Sequence, residues 1–186
     1  MTRLLRLYDR LTGGLVRLTP TILPTLARLT FAGVLLLYFW ASALTKIGPG
    51  PLGFLHPTDG AYLQVFPRLV DMLGYDFSKL TWFNWAVVVA GMWAEFTLPL
   101  LIALGLFTRP AALGMIGFIT IQSLTDVFGH GVGGDDLGRW FDAASGALII
   151  DQRSLWIFLL ATLVFTGAGP LSFDRILAGI GRQRPL

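Results

Sequence analysis

Four stretches of the chain are apolar for long enough to cross a bilayer, and polar segments separate them. The first runs from about Ile22 to Leu44, interrupted by Arg28, with Tyr38, Phe39 and Trp40 near its far end. The second covers residues 83–107, opens among Trp82, Phe83 and Trp85, and has Glu95 as its one ionisable residue. The third covers 109–128 and passes through Gln122 and Asp126; the fourth, 154–170, is the shortest. A hydrocarbon layer about 30 Å thick takes about 20 helical residues, so each stretch is read as a spanning helix. Thr108-Arg109-Pro110 leaves a tight connection whose proline suits the first turn of a helix, which makes the second and third spans antiparallel neighbours. Asp151 or Ser154 is placed to cap the start of the fourth. The expected fold is an all-α membrane protein: one antiparallel four-transmembrane-helix bundle over residues 1–186, with no second domain.

The loop between the first two spans is too long for a hairpin. It opens with Gly48-Pro49-Gly50-Pro51, which cannot continue a helix. From Tyr62 to Leu80 its apolar residues recur so that Val65, Phe66, Leu69, Met72 and Leu73 share a face, the pattern of a short helix lying along the interface. The loop Gly129–Asp151, rich in glycine and aspartate, is read either as a lid on the bundle or as a plain connection.

Composition supports placement in lipid. Of the residues, 54% are hydrophobic and 13% charged, and the mean hydropathy is +0.68. With no cysteine, the chain has no thiolate to offer a zinc site, an iron–sulfur cluster or a c-type haem. The two histidines, His56 and His130, fall in or beside loops, so neither a metal nor a haem is expected. The net charge of +3 does not point to nucleic acid, because the basic residues sit at helix ends and form no aromatic-interleaved patch.

Those basic residues set the orientation instead. Arg3, Arg6, Arg10 and Arg17 precede the first span, Arg109 lies between the second and third, and Arg175, Arg182 and Arg184 follow the fourth. The long loops carry Lys46, Arg68, Lys79, Arg139 and Arg153 against a larger number of aspartates. The positive-inside rule puts both termini in the cytoplasm. The competing reading is a cleaved signal peptide, with Leu29–Trp40 as its apolar core and Ala41-Ser42-Ala43 as its small-x-small site. The long basic region before it and Arg28 at its edge speak against this.

Ionisable side chains within a span are costly and mark candidate sites. Arg28 and Glu95 are expected to reach each other, either as a pin between two helices or as a carboxylate tuned by a cation. Gln122, Asp126 and His130 recur every four residues and share a stripe. With Glu95 and Lys46 they trace a polar track through half of the bundle. A quinone headgroup site needs such a track, because a quinol releases protons as its electrons leave. Asp126 and His130 are also open to a plainer reading, as the wet end of a helix. On the quinone reading Glu95, Arg28 and Asp126 carry the chemistry, and Gln122, His130 and Lys46 bind the headgroup.

The run Trp93-Ala94-Glu95-Phe96, followed by Leu98-Pro99-Leu100-Leu101-Ile102-Ala103-Leu104-Gly105-Leu106-Phe107-Thr108-Arg109-Pro110-Ala111-Ala112-Leu113, resembles the DoxX family. That family shows an arginine early in the first helix, a lysine at its end, a glutamate before an LLxLGLxTRxAAL hairpin and a terminal GxGxxSxD. The matching positions are Arg28, Lys46, Glu95, the hairpin, and Gly167-Ala168-Gly169-Pro170-Leu171-Ser172-Phe173-Asp174. The resemblance implies a small four-helix protein of the bacterial inner membrane. It implies quinone-linked oxidoreduction in company with a partner oxidoreductase subunit, and contact with membrane lipid. The alternative is a non-enzymatic membrane subunit or small-solute carrier whose Arg–Glu pair is structural.

Overall fold

The computed structural model describes residues 2–181, which leaves Arg182 and Arg184 of the charge argument outside the described residues. Every regular element among the described residues is helical. Four helices are long and apolar enough to cross a membrane: Arg3–Leu44, Trp82–Leu104, Thr108–Gly129 and Leu148–Thr166. The first consists of α1 (Thr2–Phe31), a π-helical turn (Ala32–Leu36) and α2 (Leu37–Leu44). It therefore begins some twenty residues before the apolar run does. The short helices α3 (Asp59–Val65) and α4 (Pro67–Met72) follow in the first long loop. The second span is α5 (Trp82–Leu104). The third is α6 (Thr108–Leu124) extended by a π turn (Thr125–Gly129). After the one-turn α7 (Gly134–Leu137), a π turn (Leu148–Gln152) leads into α8 (Arg153–Thr166), and α9 (Phe173–Gly181) closes the chain.

Each span packs on its neighbours in sequence, and the fourth closes the ring against the first. The core is a set of interlocking stripes. Ala27, Phe31, Leu35, Phe39 and Ala43 recur every four residues, and Ala111, Ala112, Met115 and Ile119 face them with Leu160 and Leu163. Phe39 meets Phe118 and Trp156 edge-on, with ring centroids 6.0 and 6.2 Å apart. In lipid such packing carries association through dispersion rather than through exclusion of water, so shape and a few polar contacts fix the register. On α5 the buried positions after Asn84 are Val88, Met92, Glu95, Pro99 and Ile102, which from Val88 on are spaced alternately by four and three. Glu95 thus occupies a core position of a seven-residue repeat and points into the bundle.

Local chemistry explains the boundaries. α5 starts where the Asn84 side chain accepts the Thr81 N–H, and ends in a Schellman turn: Gly105, at φ +68°, donates to Ile102 and Leu106 to Leu101. An added Cβ at Gly105 would lie 2.7 Å from the Arg28 guanidinium carbon, so glycine is required twice over. Pro110 falls in the first turn of α6, as anticipated. The fourth span starts earlier than the sequence suggests and ends at Thr166, because Asp151 accepts the Ala147 N–H and Gly167 turns the chain at φ +80°. Ser154 is no cap; its hydroxyl donates back to the Ile150 and Asp151 carbonyls. The helix expected over Tyr62–Leu80 is two pieces, because Pro67 cannot donate within a helix that passes through Phe66.

The end of the bundle at the α5–α6 hairpin is tied by the C-terminal motif. Asp174 accepts the Phe107 and Thr108 amides at 2.7 and 3.0 Å, and its own N–H donates to Gly105 at 2.8 Å. A carboxylate at a helix start satisfies donors that have no partner within the helix and lies favourably on its dipole. Asp174→Ala should lower stability by about 1–2 kcal/mol, read from unfolding in mixed micelles. A loss below a few tenths would show that the cap is idle.

Candidate functional site

Because α2 ends at Leu44 while α5 continues well beyond that level, α3 takes the vacated place beside the first half of α5. Thr58 holds it there: its N–H donates to the Lys46 carbonyl and its hydroxyl to the Thr45 carbonyl, while that hydroxyl also caps α3 at Ala61. Beneath α3 the end of the first span meets the middle of α5, and the ends of the third and fourth spans meet each other.

Lys46 is the cation that meets Glu95. Its ammonium lies 2.9 Å from Oε2 and 3.1 Å from Oε1, with both residues at most 5% exposed. Ser42, one turn before Lys46, donates to Glu95 Oε1 at 3.0 Å and accepts from the ammonium at 2.8 Å. Pro99 leaves the Glu95 carbonyl without the donor four residues on, and the indole of Trp40 covers the neighbouring Phe96 carbonyl at 3.1 Å.

Arg28 is elsewhere. Its guanidinium donates to the carbonyls of Ile102 (3.2 Å), Ala103 (2.8 Å), Ala168 (2.9 Å) and Leu171 (2.5 Å). The expected Arg28–Glu95 pair is thus corrected. Ile102 lies seven residues, or about 10 Å, beyond Glu95 along α5, and the exposed carbonyls at a helix end are a richer target for a five-donor group. Arg28 is a clamp on the hairpin end rather than a partner of the carboxylate.

The second carboxylate, Asp126, lies in the π turn Thr125–Gly129 and meets Arg153 at 2.6 Å. Arg153 also donates to Ser123 Oγ at 3.0 Å and follows another π turn. Widened turns of this kind recur where a side chain must leave the helical phase to reach a site. Gln122, one turn before Asp126, has a buried Oε1 with no hydrogen-bond partner. His130 is exposed, and its Nε2 stands 3.1 Å from the Gln64 carbonyl of α3.

Ser42, Lys46, Gln64, Glu95, Gln122, Asp126 and His130 wall one cavity of about 160 Å³. Arg153 closes the side towards the fourth span and lines a second, mainly apolar cleft of about 380 Å³, shared with Leu124, Trp140, Ile149 and Ile157. Five of the six residues singled out from the sequence therefore share one cavity, and Arg28 does not. Ser42, Gln64 and Arg153 were missed. Arg153 had a signal, since Asp126 within an apolar run lacked a cation; Gln64 had none. Outside the spans, burial and the nearby Asp59 raise the Tyr62 phenol above its usual pKa. Chemically, the cavity offers a carboxylate on an ammonium, an unpaired carbonyl oxygen that takes a donor, and an exposed imidazole at its rim.

No family model, curated protein or solved structure matches the chain. Its function is argued from the cavity.

Proposed function

We propose that the chain is a DoxX-like multi-pass membrane protein that binds a quinol headgroup between Glu95 and Gln122 and serves as the proton-accepting side of a quinone-linked oxidoreductase. The proposed frame is an antiparallel bundle in the bacterial inner membrane with both termini cytoplasmic, as the arginine distribution favours. The single observation that carries the reading is the buried, unpartnered Gln122 Oε1 in the cavity that also holds the Lys46–Glu95 pair. A buried acceptor without a donor costs stability, and a ligand hydroxyl supplies what is missing.

A quinol presents two hydroxyls. One donates to Gln122, and the other faces the Glu95 carboxylate. Oxidation to the quinone releases two protons and two electrons. Glu95 takes one proton as Lys46 and Ser42 hold its other contacts, and the second leaves by way of Asp126 and His130 to water at the rim. The electrons pass to an acceptor on a partner subunit. The apolar cleft beside Arg153 accommodates the start of an isoprenoid tail.

Titration of a short-chain quinol against purified protein, followed by tryptophan fluorescence, tests this. Gln122→Leu removes one hydrogen bond and should weaken binding by up to about tenfold. Unchanged affinity would remove the headgroup site from this cavity.

A second reading has its own observation: both carboxylate oxygens of Glu95 are already paired within the protein. On that view the pair only fixes helix register, in a non-enzymatic subunit or small-solute carrier.

A further inference from the structure

The first span is about twice as long as a bilayer requires. From Arg3 to Leu44 it counts 42 residues, or about 63 Å of helix, against a hydrocarbon layer of about 30 Å. Arg28 fixes where the bundle ends, since it binds the last carbonyls of α5. The residues before it extend about 37 Å further. None of the large apolar side chains described on this arm is covered: those between Leu4 and Ile22, among them Leu5, Tyr8, Leu15 and Val16, are 45–73% exposed.

The arm has two faces. At 100° per residue Arg3, Arg6, Arg10 and Arg17 fall within an arc of about 60°, while the exposed apolar residues from Leu4 to Ile22, Leu5 and Val16 included, fall within about 180°, centred roughly 160° away. Asp9 is the one acid among them. A helix standing off the bundle into water would expose that whole apolar face, which soluble surfaces avoid. Pro20 and Pro24 lie inside α1 where it enters the bundle, and each removes a main-chain donor, so a bend is cheapest there. The C-terminal α9 leaves the same end with Phe173, Ile176, Leu177 and Ile180 on one exposed stripe, although Asp174 anchors it at the hairpin.

We propose that the N-terminal arm, residues 3–19, bends at Pro20 and lies in the plane of the adjacent leaflet, with its leucines among acyl chains and its arginines on anionic phospholipid headgroups. Charge complementarity selects that occupant. Arg109 and Arg175 at the same end of the bundle carry the same sign as the arm, and Asp174 there is engaged by the Phe107 and Thr108 amides, so the described residues offer no acidic face to receive it. A second copy seated on the apolar face would leave the arginine stripe without counter-charges, which anionic headgroups supply. The arm is also continuous with a span that enters the bilayer at this level, so the leaflet is within reach without any further partner. The proposal rests on the membrane-spanning reading and is independent of the quinone.

The absence of cysteine makes the test clean, since each introduced thiol is unique. Spin labels are placed through Leu7→Cys, Leu15→Cys and Gly13→Cys; Gly13 lies beside the arginine stripe, and nothing stands within 4 Å of an added Cβ there. The full chain is reconstituted in nanodiscs of phosphatidylcholine with or without phosphatidylglycerol. With phosphatidylglycerol, labels at Leu7 and Leu15 should become accessible to oxygen and protected from a water-soluble relaxant, and the label at Gly13 should show the reverse. The contrast should shrink without phosphatidylglycerol and in high salt. Replacing Arg3, Arg10 and Arg17 together by Gln should abolish the lipid dependence; should that variant fail to insert, Leu4→Ser/Leu15→Ser keeps the charges and should return the Leu7 label to water. Water-exposed labels at all three sites in inserted protein would overturn the proposal. So would an identical pattern in pure phosphatidylcholine, or label-to-label coupling that reveals a second copy on the apolar face. Protein that does not insert at all would instead refute the spanning reading.

Discussion

Glu95→Leu should destabilise the bundle by about 3–5 kcal/mol, the usual result of stranding one member of a buried ion pair. The Lys46 ammonium would keep only its contacts to Ser42, with almost no route to water at 5% exposure. Lys46→Leu should cost a similar amount. Lys46→Leu/Glu95→Leu together should recover most of the loss, since apolar side chains of similar volume are often as stable as the pair they replace. Unfolding of the four proteins in mixed micelles gives the coupling directly. Losses in the two single variants that simply add in the double would mean that the pair is not coupled. Activity separates the two functional readings: a double variant that is stable but no longer binds quinol supports the proton acceptor, and one that is stable and unaltered in binding supports the register pin.

The second large effect is expected at Arg28. Arg28→Ala takes the side-chain donor from the Ala103 and Ala168 carbonyls, while Ile102 keeps the Gly105 N–H and the more exposed Leu171 carbonyl turns to water. Each unsatisfied buried group costs about 1–3 kcal/mol, and because the losses overlap the total should be about 3–5 kcal/mol. Amide exchange at Phe107 and Thr108 should accelerate, since the Asp174 that caps them is held by the same turn. Arg28→Lys should rescue little, because a single ammonium cannot span carbonyls that a planar guanidinium reaches together. Full stability in the lysine variant would show that charge, rather than geometry, is what this position supplies.

The two effects act at different ends of the molecule, and the sequence obscured this. Arg28 and Glu95 stand out as lone charges in neighbouring apolar runs, and pairing them is the natural reading. What linear order does not display is the supply of free carbonyls at the end of α5. A helix terminus competes well for an arginine, and Lys46, with Ser42 one turn before it, was left to satisfy Glu95. The motifs behind the DoxX resemblance accordingly divide between two structures. Arg28, the Gly105 hairpin and Asp174 build the clamp, and Lys46 with Glu95 builds the cavity.

Hydropathy placed all four spans, because twenty apolar residues in a row leave the backbone no other solution in lipid. The stripe Gln122, Asp126, His130 was equally legible, being a matter of helical period. The boundaries around π turns were harder. Leu148–Gln152 lies in a stretch whose Asp151, Gln152 and Arg153 look like loop, and only the turn they form carries Arg153 into the bundle. Gln64 belongs to a helix whose existence depends on a break at Pro67 and a cap at Thr58, neither of which reveals what it packs against. The fourth span consequently contributes a cation to the site.

The most direct test of the account is to photolyse a short-chain azidoquinone bound to the purified protein and to map the labelled peptides. Cross-links concentrated in 42–46, 62–66 and 121–130 would place the headgroup in the cavity bounded by Lys46, Glu95 and Gln122. Cross-links confined to 168–181 and the arm before Arg28, or labelling that Gln122→Leu leaves unchanged, would contradict it.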